Sequence, residues 1–353
     1  LSDSRKKSNK SNKLAHSLEA KRQSIKNFFG RPNSFLSETY TEKIAKTNRR
    51  KLLDFYTESF LRFHVKKINS HRSIFSYKLD EKDPSHVYEG KVMKVALMLH
   101  AIGSGPIMWE VSPIDSRGMA DLLMEKGIQP KIPTLPGHCA SYRDLAKVSG
   151  SDWNQSVKQQ MREILLDGEI KEIYLIGFSM GGVLTMLALA ELLAEGGFTE
   201  SQLKRVSVLV VNTPVHIKGV STHQLEKISR WSRWALEWIA IPNVPRPWET
   251  NFRYLWKALV SKFLPLSAVV EMMKLVWRLL DLLASTPTKE RFQTLKQLVL
   301  VQAIPDKVVD PKSVEILHRL IGGKVIRIEG ATHGFAESEA WAELQKVIHQ
   351  IAN

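Results

Sequence analysis

The sequence predicts an α/β protein: a mostly parallel sheet with helices on both faces. Three observations predict it. Short runs rich in Val, Ile, Leu and Met alternate with longer helix-period stretches from residue 91 to residue 351. The runs are close to continuously apolar, as strands buried on both faces require. One of them, Ile173 to Ile176, meets Gly177-Phe-Ser-Met-Gly181 and then a helical apolar pattern through Leu193, a strand, sharp turn and helix in direct succession.

Residues 1–72 form a basic extension. They hold 18 Lys+Arg against 6 Asp+Glu, which is +12 of the chain's net +15, so the rest is nearly neutral. The first 30 residues are rich in Lys, Ser and Asn and read as disordered or weakly helical. From Ser34 to Ile68 the apolar residues recur with helical spacing, with Lys43, Lys46, Arg49, Arg50 and Lys51 clustered near the middle. Two readings stay open: an accessory helix with a solvated basic face, or a segment drawn to an anionic membrane surface. Nucleic acid is disfavoured, because a basic stretch without a recognised fold is a weak signal.

The sheet domain is expected over residues 73–353. Residues 73–79 alternate as a strand, and Lys91 to Leu99 is a second, better buried one. Helices are expected near 115–126 and 152–166, strands at 171–176, 205–212, 297–302 and 325–328, and a closing helix over 337–351. Between the strands at 212 and 297, residues 216–290 hold six of the nine tryptophans in helix-like pieces. They read as a helical cap over the sheet's active end. Trp231, Trp234, Trp238 and Trp277 are candidates for a lipophilic substrate pocket, since such pockets are mainly apolar and aromatic.

Composition excludes several classes. Hydrophobic content of 43% and charged content of 25% are ordinary for a globular chain. The lone Cys139 rules out an intrachain disulfide and a cysteine zinc cluster. The longest apolar run, Val183 to Ala190, is far short of the roughly 20 residues of a membrane span. A cytoplasmic location is expected, with membrane association as the alternative. Because residue 1 is Leu, an upstream signal or anchor stays open.

Ser179 stands at the tip of the turn, where glycines two positions either side let strand and helix approach. The helix N-terminus beneath it offers free N–H groups to a developing oxyanion. A serine nucleophile also needs a base, an acid to orient that base, and oxyanion donors. Asp306 follows the strand at 297–302, with Asp310 as its rival; the Pro311 that follows suits Asp310 better to a helix start. His333 lies in a glycine-flanked loop after the strand at 325–328. His100 and His138 precede the serine and read as structural. Met180, next after the nucleophile, and Ile102, in the small-residue loop after Leu99, are the candidate oxyanion donors.

These residues resemble the carboxylesterase and monoacylglycerol-lipase group of α/β-hydrolases. The resemblance runs from about Val92 to Ala352. It rests on Leu97-Met-Leu-His-Ala-Ile-Gly103, Pro136-Gly-His138, Ser151-Asp-Trp153, Gly177-Phe-Ser-Met-Gly-Gly182, Val301-Gln-Ala-Ile-Pro-Asp306 and Thr332-His-Gly334. It implies an α/β-hydrolase fold with Ser179 as nucleophile, Asp306 as orienting acid, His333 as base, and Ile102 and Met180 as donors. It also implies a small-molecule ester or monoacylglycerol-type lipid substrate, hydrolysed without metal or organic cofactor. A thioesterase or acyltransferase would use the same three residues, and a non-catalytic binding protein on this fold is the rival from another class. Two departures stand out: His100-Ala101 where the family usually has His-Gly, and Gly137-His138-Cys139 where many members have Gly-His-Gly.

Overall fold

The computed structural model describes residues 93–110, 118–218, 222–231, 233–242, 263–335 and 337–352. The expected N-terminal extension and the strand at 73–79 lie outside the described residues, as do Trp248 and Trp256 of the insertion. The chain divides into two compact units. Of the first, residues 1–52 and 219–230, the described part is one helix, Thr222–Ser229. The second, residues 53–218 and 231–353, carries the sheet.

Among the described residues six strands form that sheet: Met93–Leu99 (β1), Ile128–Lys131 (β2), Ile170–Phe178 (β3), Val206–Val211 (β4), Gln297–Ile304 (β5) and Lys324–Glu329 (β6). They run in the order β2-β1-β3-β4-β5-β6, and every neighbouring pair is parallel. The central strands are buried on both faces, which is why they read as unbroken apolar runs: all six residues of β4 are buried. Strand β2 has no counterpart in the sequence reading. It is four residues long, contains Pro130, and among the described residues lies at one end of the sheet, where a strand proline is tolerated.

The register brings one end of the sheet together. Leu99 pairs with Gly177, Phe178 with Val211, Val211 with Val301, and Ile304 with Glu329. The segments leaving β1, β3, β4, β5 and β6 therefore start from the same edge, the carboxyl end where ligands collect in such sheets.

Helix α1, Gly150–Leu166, starts at Ser149, whose side chain and that of Asp152 cap each other's backbone N–H groups. Helix α2, Met180–Glu195, follows the turn at Ser179, and every residue from Met180 to Leu193 is buried. A helix apolar all round needs cover on all sides. The sheet covers one side; α1 and helix α3, Leu266–Leu283, supply much of the rest. The one acid in the buried stretch, Glu191, joins the three helices. It accepts from Asn154 (2.9 Å) and pairs with Lys158 (3.1 Å), both on α1, and pairs with Arg278 (2.8 Å) on α3.

Of the residues expected to form a cap, the described parts of this unit include a short helix at Arg233–Glu237, the antiparallel strand pair Ala240–Pro242 and Phe263–Pro265, and α3. The broad apolar surface of α3 packs on α1 and α2, and its Glu271 carboxylate accepts the Gly150 N–H at 3.0 Å. Among the described residues, no helix is long and apolar enough to cross a membrane.

Candidate active site

Ser179 is the one residue between β3 and α2. Its backbone takes φ 53 and ψ −119, a conformation that costs a non-glycine residue free energy and persists only when the surroundings impose it. Here they do. The Ser179 N–H donates to the carbonyl of Val211 at 2.8 Å, and its own carbonyl accepts from Gly182 N at 2.9 Å. The glycines either side are required by close approach. A Cβ on Gly181 would stand 2.2 Å from the Leu99 carbonyl oxygen, and one on Gly177 would stand 2.4 Å from that of Gly181. The turn is thus pressed directly onto the end of β1.

The structure brings three of the sequence candidates into contact. His333 Nε2 lies 3.1 Å from Ser179 Oγ, and His333 Nδ1 lies 2.8 Å from Asp306 Oδ2. All three are buried, with Asp306 1% exposed. The second carboxylate oxygen of Asp306 accepts the N–H groups of Val308 (2.7 Å) and Val309 (3.0 Å). Two backbone donors on one oxygen leave the other facing the imidazole. Gln302 Nε2 also approaches Asp306 Oδ2, at 3.5 Å. The rival Asp310 is engaged elsewhere: its Oδ1 accepts the N–H of Lys312, which opens the helix Lys312–Ile321, and its Oδ2 lies 3.6 Å from His216. Phe178 packs against the His333 ring (centroids 5.6 Å apart) and against Phe335 and Trp109.

Ile102 lies in a turn closed by the bond from Ser104 N to Ala101 O, 3.2 Å. Gly103 has φ 64 at the third position of that turn, as a type II turn demands. The glycine requirement therefore falls on Gly103, which accounts for Ala101 being tolerated after His100. Met180 opens α2, and Leu99 pairs with Gly177, so the two candidate donors extend from adjacent strands.

His100 and His138 sit behind this turn. Leu135 N donates to His100 Nε2 at 3.2 Å, so that nitrogen is the acceptor and Nδ1 carries the proton toward Ala101 O, 2.9 Å away. Burial lowers the His100 pKa to about 4. Burial, and then the neighbouring His100 ring 4.8 Å away, lower that of His138 to about 3. Both are neutral, and His138 adds a bond from its Nδ1 to Pro136 O at 3.1 Å. Cys139, at the second departure from the family pattern, has φ 56, and its Sγ lies so close to Gly105 that a Cβ there would stand 2.3 Å from it. The loop at 135–139 and the turn after β1 are therefore packed as one piece.

Of the tryptophans assigned to a pocket, Trp277 projects half-buried from α3, Trp231 is half-buried, and Trp238 is 42% exposed. The Trp234 side chain lies outside the described residues.

The model of the alpha/beta hydrolase family matches residues 96–345, most of the chain. The chain belongs to the alpha/beta hydrolase family. Solved structures share the fold. One, from a study of the metagenome-derived lipolytic enzymes LipS and LipT, matches with TM-score 0.52 at 16% identity, over 73% of this chain and 94% of that one. The Paleococcus ferrophilus monoacylglycerol lipase matches with TM-score 0.51 at 12% identity, over 73% and 93%. A soluble variant of the Saccharomyces cerevisiae monoglyceride lipase matches with TM-score 0.53 at 11% identity, over 74% and 88%. No curated protein sequence matches the chain. At these identities the likeness establishes the alpha/beta hydrolase fold, and the chemistry rests on the side chains of this chain.

Proposed function

We propose that this alpha/beta hydrolase is a serine hydrolase that cleaves carboxylic esters through an acyl-enzyme. The observation that carries the reading is the contact sequence from Ser179 Oγ to His333 Nε2 (3.1 Å) and from His333 Nδ1 to Asp306 Oδ2 (2.8 Å). Asp306 holds the proton on Nδ1, which leaves Nε2 as the base. The Ser179 proton passes to Nε2 as Oγ attacks the ester carbonyl carbon. The N–H groups of Ile102 and Met180 stabilise the oxyanion. Collapse breaks the bond to the leaving group, which departs as the alcohol with the proton held by His333. Water then attacks the acyl carbon as His333 takes its proton; collapse breaks the bond to Ser179 Oγ, which takes that proton back from His333, and releases the carboxylic acid.

The substrate class proposed is short- to medium-chain esters or monoacylglycerols, in keeping with the lipolytic and monoacylglycerol lipase names of similarly folded proteins. Trp231, Trp234, Trp238 and Trp277 are proposed to contribute to the acyl pocket within a helical cap, and the basic extension at 1–72 to meet anionic membrane. A panel of p-nitrophenyl esters of increasing acyl length tests the reading, with wild type beside Ser179→Ala. The expected result is turnover with a defined chain-length optimum and its loss in the variant. Equal turnover by both would refute it.

A further inference from the structure

We infer that Asn212 is a positioning residue that fixes the Asp306 segment and the His333 loop to each other, so that acid and base meet in one geometry. The inference rests on the serine-hydrolase reading above.

Asn212 is the first residue past β4 and is fully buried. Its backbone N–H donates to Val301 O at 2.9 Å, which carries the pairing of β4 with β5 one residue beyond the strand. Its side chain then bridges two separate segments. Asn212 Oδ1 accepts the N–H of Ala303 at 2.8 Å, and Asn212 Nδ2 donates to the carbonyl of His333 at 2.8 Å. A backbone N–H can only donate and a carbonyl can only accept, so these partners determine which way the amide faces. Ala303 lies on β5, three residues before Asp306, and the second bond is made to the backbone of His333 itself. One planar amide therefore spans the gap between the segment that carries the acid and the loop that carries the base.

The residue type is selected twice. The backbone at Asn212 has φ 49, a left-handed conformation that Asn tolerates better than most side chains. The bridge needs one acceptor and one donor on a short side chain. Asp would keep the bond from Ala303 but set a carboxylate oxygen against the His333 carbonyl, acceptor against acceptor. Gly would keep the backbone and lose both bonds. The bridge lies in a site with little slack, because Asp306 is already held on its other oxygen by Val308 and Val309. Freeing the His333 loop would then lengthen the His333–Asp306 contact and turn Nε2 away from Ser179 Oγ.

The test uses the full chain as wild type, Ser179→Ala, Asn212→Asp and Asn212→Gly, with near-ultraviolet circular dichroism to normalise each to folded protein. Readouts are kcat and KM on p-nitrophenyl butyrate, the rate of fluorophosphonate labelling, and the downfield proton resonance of the His333–Asp306 hydrogen bond. Both Asn212 variants are expected to lose at least tenfold in kcat with KM within twofold. Labelling should slow by the same factor and the downfield resonance should disappear. A structural role alone would lower the folded fraction and leave kcat per folded molecule within twofold, which would overturn the inference; so would failure of both variants to fold. If wild type is labelled and the Asn212 variants match it, only this inference falls. If wild type is not labelled, the serine reading falls and takes this inference with it.

Discussion

Lowering the pH from 7 to 5 is expected to destabilise this protein through two buried histidines that lie outside the proposed chemistry. In the fold, His100 stays neutral down to about pH 4 because of its burial, against an ordinary value of 6.5. His138 stays neutral to about pH 3, through burial and then the proximity of His100. Protonation of His100 would also put an Nε2–H against the N–H of Leu135, donor against donor. Both folded pKa values are depressed, so between pH 6.5 and 4 the unfolded chain binds more protons than the native one. The stability is complete above about 6.5 and is lost as the pH falls toward 4. At pH 5 neither ring is protonated in the fold, so their mutual influence does not enter. Each costs about 2 kcal/mol there, from about 1.5 pH units at about 1.4 kcal/mol per unit. The pair then removes about 4 kcal/mol from a total that for a typical domain is about 5–15 kcal/mol. Urea unfolding at pH 7, 6 and 5, on wild type and His100→Gln, measures it. The variant should lose about 2 kcal/mol less than wild type over that interval. An identical loss in the two proteins would show that His100 does not carry the effect.

Two further outcomes follow from the same geometry. Asp306→Asn should lower kcat by about 10³–10⁴-fold in ester turnover, because the amide oxygen must stay on Val308 and Val309 N–H. The amide NH2 then faces His333 Nδ1 and forces the proton onto Nε2, which can no longer act as a base. Gly181→Ala should cost about 2 kcal/mol or more by thermal or urea unfolding, since its Cβ would meet the Leu99 backbone at 2.2 Å and neither strand nor turn can give way.

Much of the sheet was legible because burial on both faces writes itself into the sequence as continuous apolar runs, as in Val206–Val211. Strand β2 was not, because four residues with a proline carry no periodic signal and it is pairing, here with β1, that makes them a strand. Ser179, Asp306 and His333 could be nominated because each follows a strand end that a parallel topology brings to one edge. What sequence does not carry is the through-space support. The donors on Asp306 are backbone N–H groups of Val308 and Val309, invisible as residue types. Asn212 reads as an ordinary strand-end polar residue, 91 positions from Ala303 and 121 from His333. Helix α3 illustrates the opposite problem. Its broad apolar surface fits a cap as well as a buried layer, and only its packing on α2 and the Arg278–Glu191 pair show what much of that surface covers.

An activated nucleophile at Ser179 should be open to covalent capture. The full chain is incubated with a fluorophosphonate at pH 8, digested, and the adduct located by mass spectrometry, with His333→Gln and Ser179→Ala in parallel. One adduct is expected, on Ser179, absent from the Ser179→Ala protein and slowed by orders of magnitude in His333→Gln. An unlabelled Ser179 in folded wild type, or labelling at the same rate without His333, would contradict it.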